Sequence, residues 1–228
     1  MGKSDDKAKI SCSNFAMKKA FKFYDNDDHD TAIKYCSLAI KINPQNAMAY
    51  ALRGAIYIHK HWFSWVFRDL NKALVFGLNN EVVYSDLGYA HMLLGECDKA
   101  VNNFSIALEI NPNHFFAWSY RGYTFFKMKL YEKAISDLKI ALSLIPNDPF
   151  ALLNLDDAYL RRGGLHLKAD RYLEAIDDFS NAMNHYDFVV KAYEGRASAY
   201  TNLGKIDEAK ADIAKAKFFR DEYEHSKQ

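Results

Sequence analysis

Several groups of residues in this chain have the chemistry to hold a cation or move a proton, and their spacing decides what each could do. The run Asp25, Asn26, Asp27, Asp28, His29 and Asp30 concentrates the hard oxygen ligands that calcium takes. It lacks the central glycine and closing glutamate of an EF-hand at the required offsets. The spacing favours a solvated turn whose acids stand at the start of a helix, where the macrodipole welcomes them. His59 and His61 are two apart and would point to different sides of a helix, which does not make a metal pair. Cys12, Cys36 and Cys97 show no C-x-x-C pairing and no companion histidines at metal spacing, so they read as reduced thiols. Asp156 has no histidine or second acid at an offset suited to acid–base work, and is expected to reach solvent or a hydrogen-bond donor. There is no nucleotide loop, no G-x-S-x-G and no H-E-x-x-H. The expectation is a non-enzymatic protein with no catalytic residue, no metal and no cofactor.

The composition narrows the partners. Half of the 228 residues are apolar and 15% are aromatic, enough for every short helix to bury a face, while the formal charge of +1 supplies no field for nucleic acid or an anionic membrane. The start, MGKSDDKAKIS, lacks the apolar stretch of a secretory signal, and Asp6 stands where myristoylation of Gly2 wants Ser or Thr. No apolar run approaches the roughly 20 residues of a membrane-spanning helix. The expectation is a cytoplasmic protein with no membrane insertion.

The elements that position these residues repeat. In Phe115 to Asp148, Trp118, Arg121, Gly122 and Phe125 share one face of a 3.6-period helix, and Ala134, Leu138 and Ala141 share a face of a second that must stop at Pro146. The small residue of the first helix falls at Ala20, Gly54, Gly88 and Gly122, a constant step of 34. That of the second falls at Ala32, Val66, Ala100, Ala134, Ala175 and Ala209, with steps of 34, 34, 34, 41 and 34. A helix pair this small cannot bury its apolar face alone and needs stacked copies.

This pattern resembles the tetratricopeptide repeat: Tyr84-x2-Leu87-Gly88-x2-His91 is followed by Ala100-x3-Phe104-x2-Ala107-x4-Pro112. The resemblance implies an all-α fold, a right-handed superhelical solenoid of antiparallel helix pairs. Six repeats are expected at 13–46, 47–80, 81–114, 115–148, 149–189 and 190–223, between a flexible tail at 1–12 and a C-terminal tail at 224–228. The extra seven residues of the fifth are expected between Tyr159 and Tyr172, with Gly163-Gly164 breaking the first helix there. Arg121 is expected to snorkel. Cys36 and Cys97 take positions where the family puts core aromatics.

The resemblance further implies a scaffold that binds a protein or peptide ligand in a groove lined by the first helices. The expected groove residues are Tyr89, Met92, Phe116, Ser119, Tyr123, Phe126, Phe150, Leu153, Asn154 and Asp157, a mostly apolar and aromatic wall. Chaperone-binding members carry a two-carboxylate clamp. Asn154 and Lys191 match two of its offsets, but Ser119, Tyr123 and Gly195 stand where Lys, Asn and Arg are needed, so acidic chaperone termini are not implied. Trp62 and Trp65 fall at outward offsets and either cover a neighbouring turn and Phe67 or form a contact surface. Self-association through that patch or through the array ends is the alternative function.

Overall fold

The computed structural model describes the backbone of residues 2–225, and of these all side chains but those of 2–6, 186–187 and 223–224. The described residues form helices and no strands. The helices are α1 (Gly2–Tyr24), α2 (His29–Ile42), α3 (Ala47–His59), α4 (Phe63–Val75), α5 (Glu81–Leu93) and α6 (Cys97–Ile110), then α7 (Phe115–Lys127), α8 (Tyr131–Leu144), α9 (Pro149–Lys168), α10 (Tyr172–Asn181), α11 (Tyr186–Asn202) and α12 (Ile206–His225). Each odd helix packs on the even helix that follows it. The chain is an all-α helical repeat array. Residues 2–12, expected as a tail, are helical. The run from Gly2 to Cys12 holds no proline, and Lys7, Ala8 and Lys9 favour the helix, so α1 continues outward in solvent, with 7–12 exposed. α12 reaches His225, and residues 226–228 lie outside the described residues.

The turns obey the grid more closely than the sequence motif does. After the first helix of each pair, one residue takes a left-handed conformation: Asp27, His61, Gly95, Lys129, Asp170 and Gly204, with φ from 57° to 75°. The next amide then donates back to a carbonyl five residues earlier, as in Asp28 to Phe23, Leu130 to Phe125 and Arg171 to His166. This is the Schellman closure, and it satisfies carbonyls that the helix end leaves orphaned. The second helices stop differently. Asn43, Asn111 and Ile145 each precede a proline, which pushes them out of helical space to φ near −130° and ψ near 95°. Asp28, Asn46, Asn80 and Asp148 then cap the next helix, each accepting from the amide three residues on.

Within a pair, the small residue of the first helix meets a large one sixteen positions later. A Cβ added to Gly54 would lie 2.7 Å from Leu70, one on Gly88 would lie 2.8 Å from the Phe104 ring, and one on Gly122 would lie 2.9 Å from Leu138. Beside this contact runs a buried ion pair of the same spacing: Arg53–Asp69 at 2.6 Å, Arg121–Asp137 at 2.7 Å, Arg162–Asp178 at 2.6 Å and Arg196–Asp212 at 2.7 Å. All four are bidentate. Arg121 is therefore an ion-pair partner and not a snorkelling stem. Burial raises the Asp137 carboxyl against the opposing pull of Arg121, so the pair is held by geometry that keeps both charges satisfied.

The fifth pair corrects the placement of the extra seven residues. α9 runs unbroken through Gly163 and Gly164. Gly163 stands one residue after Arg162 and packs on Phe179, 3.1 Å from an added Cβ, so it is the small residue of this pair and the insertion precedes it. Seven residues make nearly two helical turns and drift only about 20°. Asp156 and Gly163 thus share a face, and the insertion lengthens the helix where a loop was expected. Gly163 serves close packing, and Gly164 beside it faces open space without breaking the helix.

The chain divides into two compact units, Met1–His114 and Phe115–Gln228. In the first, α3 packs on α2 and α5 packs on α4 and α3; in the second, α9 packs on α8 and α7, and α11 packs on α10 and α9.

The buried ion pairs yield a clean test. Arg121→Leu alone strands the Asp137 charge and is expected to destabilise by about 3 kcal/mol. Arg121→Leu with Asp137→Asn, the combination that Leu87 and Asn103 already provide in α5–α6, should recover most of the loss in urea denaturation. At the turns, Lys129→Gly is expected to raise stability by about 0.5–1 kcal/mol, because glycine carries no left-handed penalty, and Gly95→Ala should lower it by about 1 kcal/mol. Matching urea midpoints for Lys129→Gly and the parent would refute that reading.

Candidate functional site

In the second unit, α7 and α9 bring aromatic rings into one continuous surface. The Phe150 ring lies 5.2 Å from Tyr120 and 5.3 Å from Tyr123; Tyr123 lies 6.4 Å from Phe126, and Phe126 lies 6.0 Å from Tyr131. Phe116 stacks on Tyr120 at 6.4 Å and is 57% exposed. These spacings are those of offset and edge-on ring pairs, which add to simple burial. The rings are held because α7 needs Ala117, Gly122 and Phe125 for its buried face, which turns Phe116, Tyr120 and Tyr123 the other way. Two cations border the surface: Lys127 above the Tyr123 ring and Arg161 above the Phe126 ring. Arg161 also pairs with Asp157 at 2.9 Å, which the two extra turns of α9 place beside it.

The expected groove residues thus separate. Phe116, Tyr123, Phe126 and Phe150 come together, while Leu153 and Asp157 stay half-buried on α9. Ser119 and Asn154 are buried and offer no binding surface; the Asn154 amide donates to the Phe150 carbonyl one turn back. Both small polar residues sit at helix contacts, where side-chain size and not ligand chemistry selects them. Tyr89 and Met92, both half-buried, stand on α5 in the first unit. Tyr120 was missed, although it falls one turn beyond Phe116 and its aromatic type was a visible signal.

A family model described as "Tetratricopeptide repeat" matches residues 190–217, and one described as "Protein prenyltransferase alpha subunit repeat" matches residues 97–128. A tetratricopeptide repeat protein from Parabacteroides merdae is 26% identical in its solved structure, with a TM-score of 0.58 over 89% of this chain and 78% of that one. Residues 190–217 thus match a tetratricopeptide repeat, and the helix-pair array as a whole is similar to tetratricopeptide-repeat proteins. The first tetratricopeptide repeat domain of Spaghetti (RPAP3), solved with a bound HSP90 peptide, has 21% identity and a TM-score of 0.50 over 52% of this chain and 94% of that one. Serine/threonine-protein phosphatase 5 from Rattus norvegicus is 25% identical over 95 residues, which are 42% of this array and 19% of that protein. The array thus spans about a fifth of the length of such curated relatives.

The other groups singled out in the array have structural partners. Asp28 caps α2, and Asp30 pairs with Lys60 at 2.7 Å. His29 and His59 stack at 5.2 Å, and burial, followed by the neighbouring His29, lowers the His59 pKa. Among the described residues no three His, Cys, Asp or Glu side chains are placed to hold a metal ion, and no helix is long and apolar enough to cross a membrane. Cys36 is buried, which pushes its thiol up to about 12, whereas Cys97 is half-buried and Cys12 exposed. Asp156 is fully buried and accepts from the Asn184 amide at 3.0 Å, so it anchors the connection after α10. Trp62 and Trp65 are 50% and 47% exposed, and both rings lean on Tyr57, at 5.6 and 6.3 Å. Lys60 lies over Trp62, and the Arg68 guanidinium lies 3.9 Å over Trp65. Phe67 is not beneath them; it packs on His91.

In the first unit, burial pushes the Asp86 carboxyl of α5 up to about 7. Its folded pKa stands above the unfolded value of about 3.9. As pH rises from about 4 to 7 the unfolded chain releases this proton while the native state keeps it, so folding is progressively disfavoured across that window and by a constant amount above it. Asp86→Asn is expected to leave stability unchanged near about pH 3.5 and to raise it by on the order of 1–3 kcal/mol at about pH 8. Denaturation at both pH values checks this, and an equal effect at the two would refute it.

Proposed function

We propose that this protein is an interaction scaffold whose α7–α9 surface binds a segment of a partner protein through bulky apolar side chains. The observation that carries this reading is the run of half-exposed rings from Phe116 to Phe126 with Phe150 across it. Rings packed at these distances are already rigid, so a ligand pays little to order them. Arg161 and Lys127 at the border can meet polar or acidic groups of the same segment, and bury little in doing so.

The HSP90 peptide bound by Spaghetti supports peptide capture by a related fold, but the chemistry here points to a different ligand. Tyr123 and the buried Ser119 occupy clamp offsets, and Asn154 spends its amide on a carbonyl of its own helix. A segment with aromatic or branched apolar anchors, helical or extended, fits better than an acidic terminus. No catalytic role is proposed.

Panning a random displayed-peptide library on the full chain tests this. The protein should enrich peptides with bulky apolar anchors, and Tyr123→Ala with Phe126→Ala should weaken the enriched peptides at least ~100-fold, given anchors worth about 2 kcal/mol each. Melting should fall by only a few degrees, since both rings are half-exposed. Undiminished binding by the folded double variant would remove the site from this surface.

A further inference from the structure

Every second helix in this array carries an apolar residue four positions after its small one, large in all but α2, and the first five are buried to 3% exposure or less: Cys36, Leu70, Phe104, Leu138 and Phe179. The sixth is Ile213, which is 57% exposed. The first helices show the mirror image. Ala49, Val83, Ala117 and Ala192 are buried to 1% or less at the node where α1 carries Phe15, which is 63% exposed. Four of the buried second-helix nodes, on α2, α4, α8 and α10, lie on helices that are packed by the next first helix. On α11 and α12 the corresponding face is an open groove of about 450 Å³, lined by Ala197, Ser198, Thr201, Ile213 and Ala216 together with the charged Glu194, Lys217 and Arg220.

We propose that a second copy of this chain fills this groove, its α1 lying on α11–α12 as α11 lies on α10, with Phe15 seated against Ile213. The repeat itself defines the occupant: an amphipathic first helix, antiparallel to α12. Charge agrees with that direction. Exposed Asp207 and Glu208 open α12, and the antiparallel arrangement brings them to the C-terminal half of the incoming α1, which exposes Lys18 and Lys22. Small residues on the groove walls leave room for a phenylalanine where the internal nodes have alanine or valine. The two faces are different surfaces, so the contact is heterologous and a pair of copies keeps one free donor face and one free acceptor face. This proposal is independent of the α7–α9 binding surface.

Sedimentation equilibrium of the full chain tests it by complementation. The wild type should show a weight-average mass that rises with concentration. Phe15→Lys and Ile213→Lys, both at exposed positions and so expected to keep their helicity, should each sediment as a monomer. An equimolar mixture should form a one-to-one dimer and nothing larger, because Ile213→Lys retains a working α1 and Phe15→Lys a working groove. A monomeric wild type, self-association surviving in either single variant, or a mixture that stays monomeric would each overturn the proposal. Loss of association on changing Trp62 and Trp65 to Ser, with Ile213→Lys still associating, would assign the contact to that patch instead.

Discussion

Two helices of this chain can pair only if their backbones approach until a glycine or alanine of one touches the branch or ring of the other. That contact recurs sixteen residues apart at Gly54–Leu70, Gly88–Phe104, Gly122–Leu138 and Gly163–Phe179, and it sets the distance at which everything else must fit. The Arg–Asp pairs fit it because they sit one residue earlier at the same spacing. Where the pair is missing, in α5–α6, the contact at Gly88 is as close as elsewhere. The steric approach therefore carries the pairing, and the ion pair adds register specificity: a slip of one residue would leave two buried charges unmatched. The left-handed turn serves the same end. It closes the first helix in a fixed number of residues, so the second begins at the same phase each time.

Much of this was legible in the residues, for a physical reason. Small residues and prolines act through backbone geometry, which has few solutions, so a step of 34 in Gly54, Gly88 and Gly122 translates directly into helix pairs. The ion pairs were equally present as an Arg and an Asp sixteen apart, but a charged residue at an apolar offset reads as a surface residue until its partner on the next helix is considered. Gly163-Gly164 misled because glycine marks both a break and a close contact. The Arg162–Asp178 spacing separates the two meanings, since it shows that Gly163 already stands at the contact.

The aromatic surface was less legible. Offsets place Phe116, Tyr123, Phe126 and Phe150 on one face, and the rings do lie together, because inward and outward faces of a helix follow from its period. They could not distinguish a residue facing the surface from one at its edge that the next helix covers. Ser119 and Asn154 are of the second kind: α9 lies against α7 and α11 against α9, and each of the two polar residues is buried on the covered helix. Burial at such positions depends on how closely neighbouring pairs stack, which no single repeat encodes.

The length of α9 connects these observations. Its early turns meet α8 in the old register, with Ala151 and Ala158 buried at nodes equivalent to Ala117 and Thr124, while its later turns meet α10 in the new one through Arg162 and Gly163. An insertion of about five or nine residues would rotate one of these faces away from its partner, since each residue turns the helix by about 100°. Seven keeps both faces and adds roughly 10 Å of helix. The added turns carry Arg161 to the border of the aromatic surface, over Phe126, where it pairs with Asp157. An insertion that leaves the packing intact has thereby altered an exposed surface that the packing does not use, and a repeat array can change its local surface chemistry in this way without altering the pairing contact on which the fold depends.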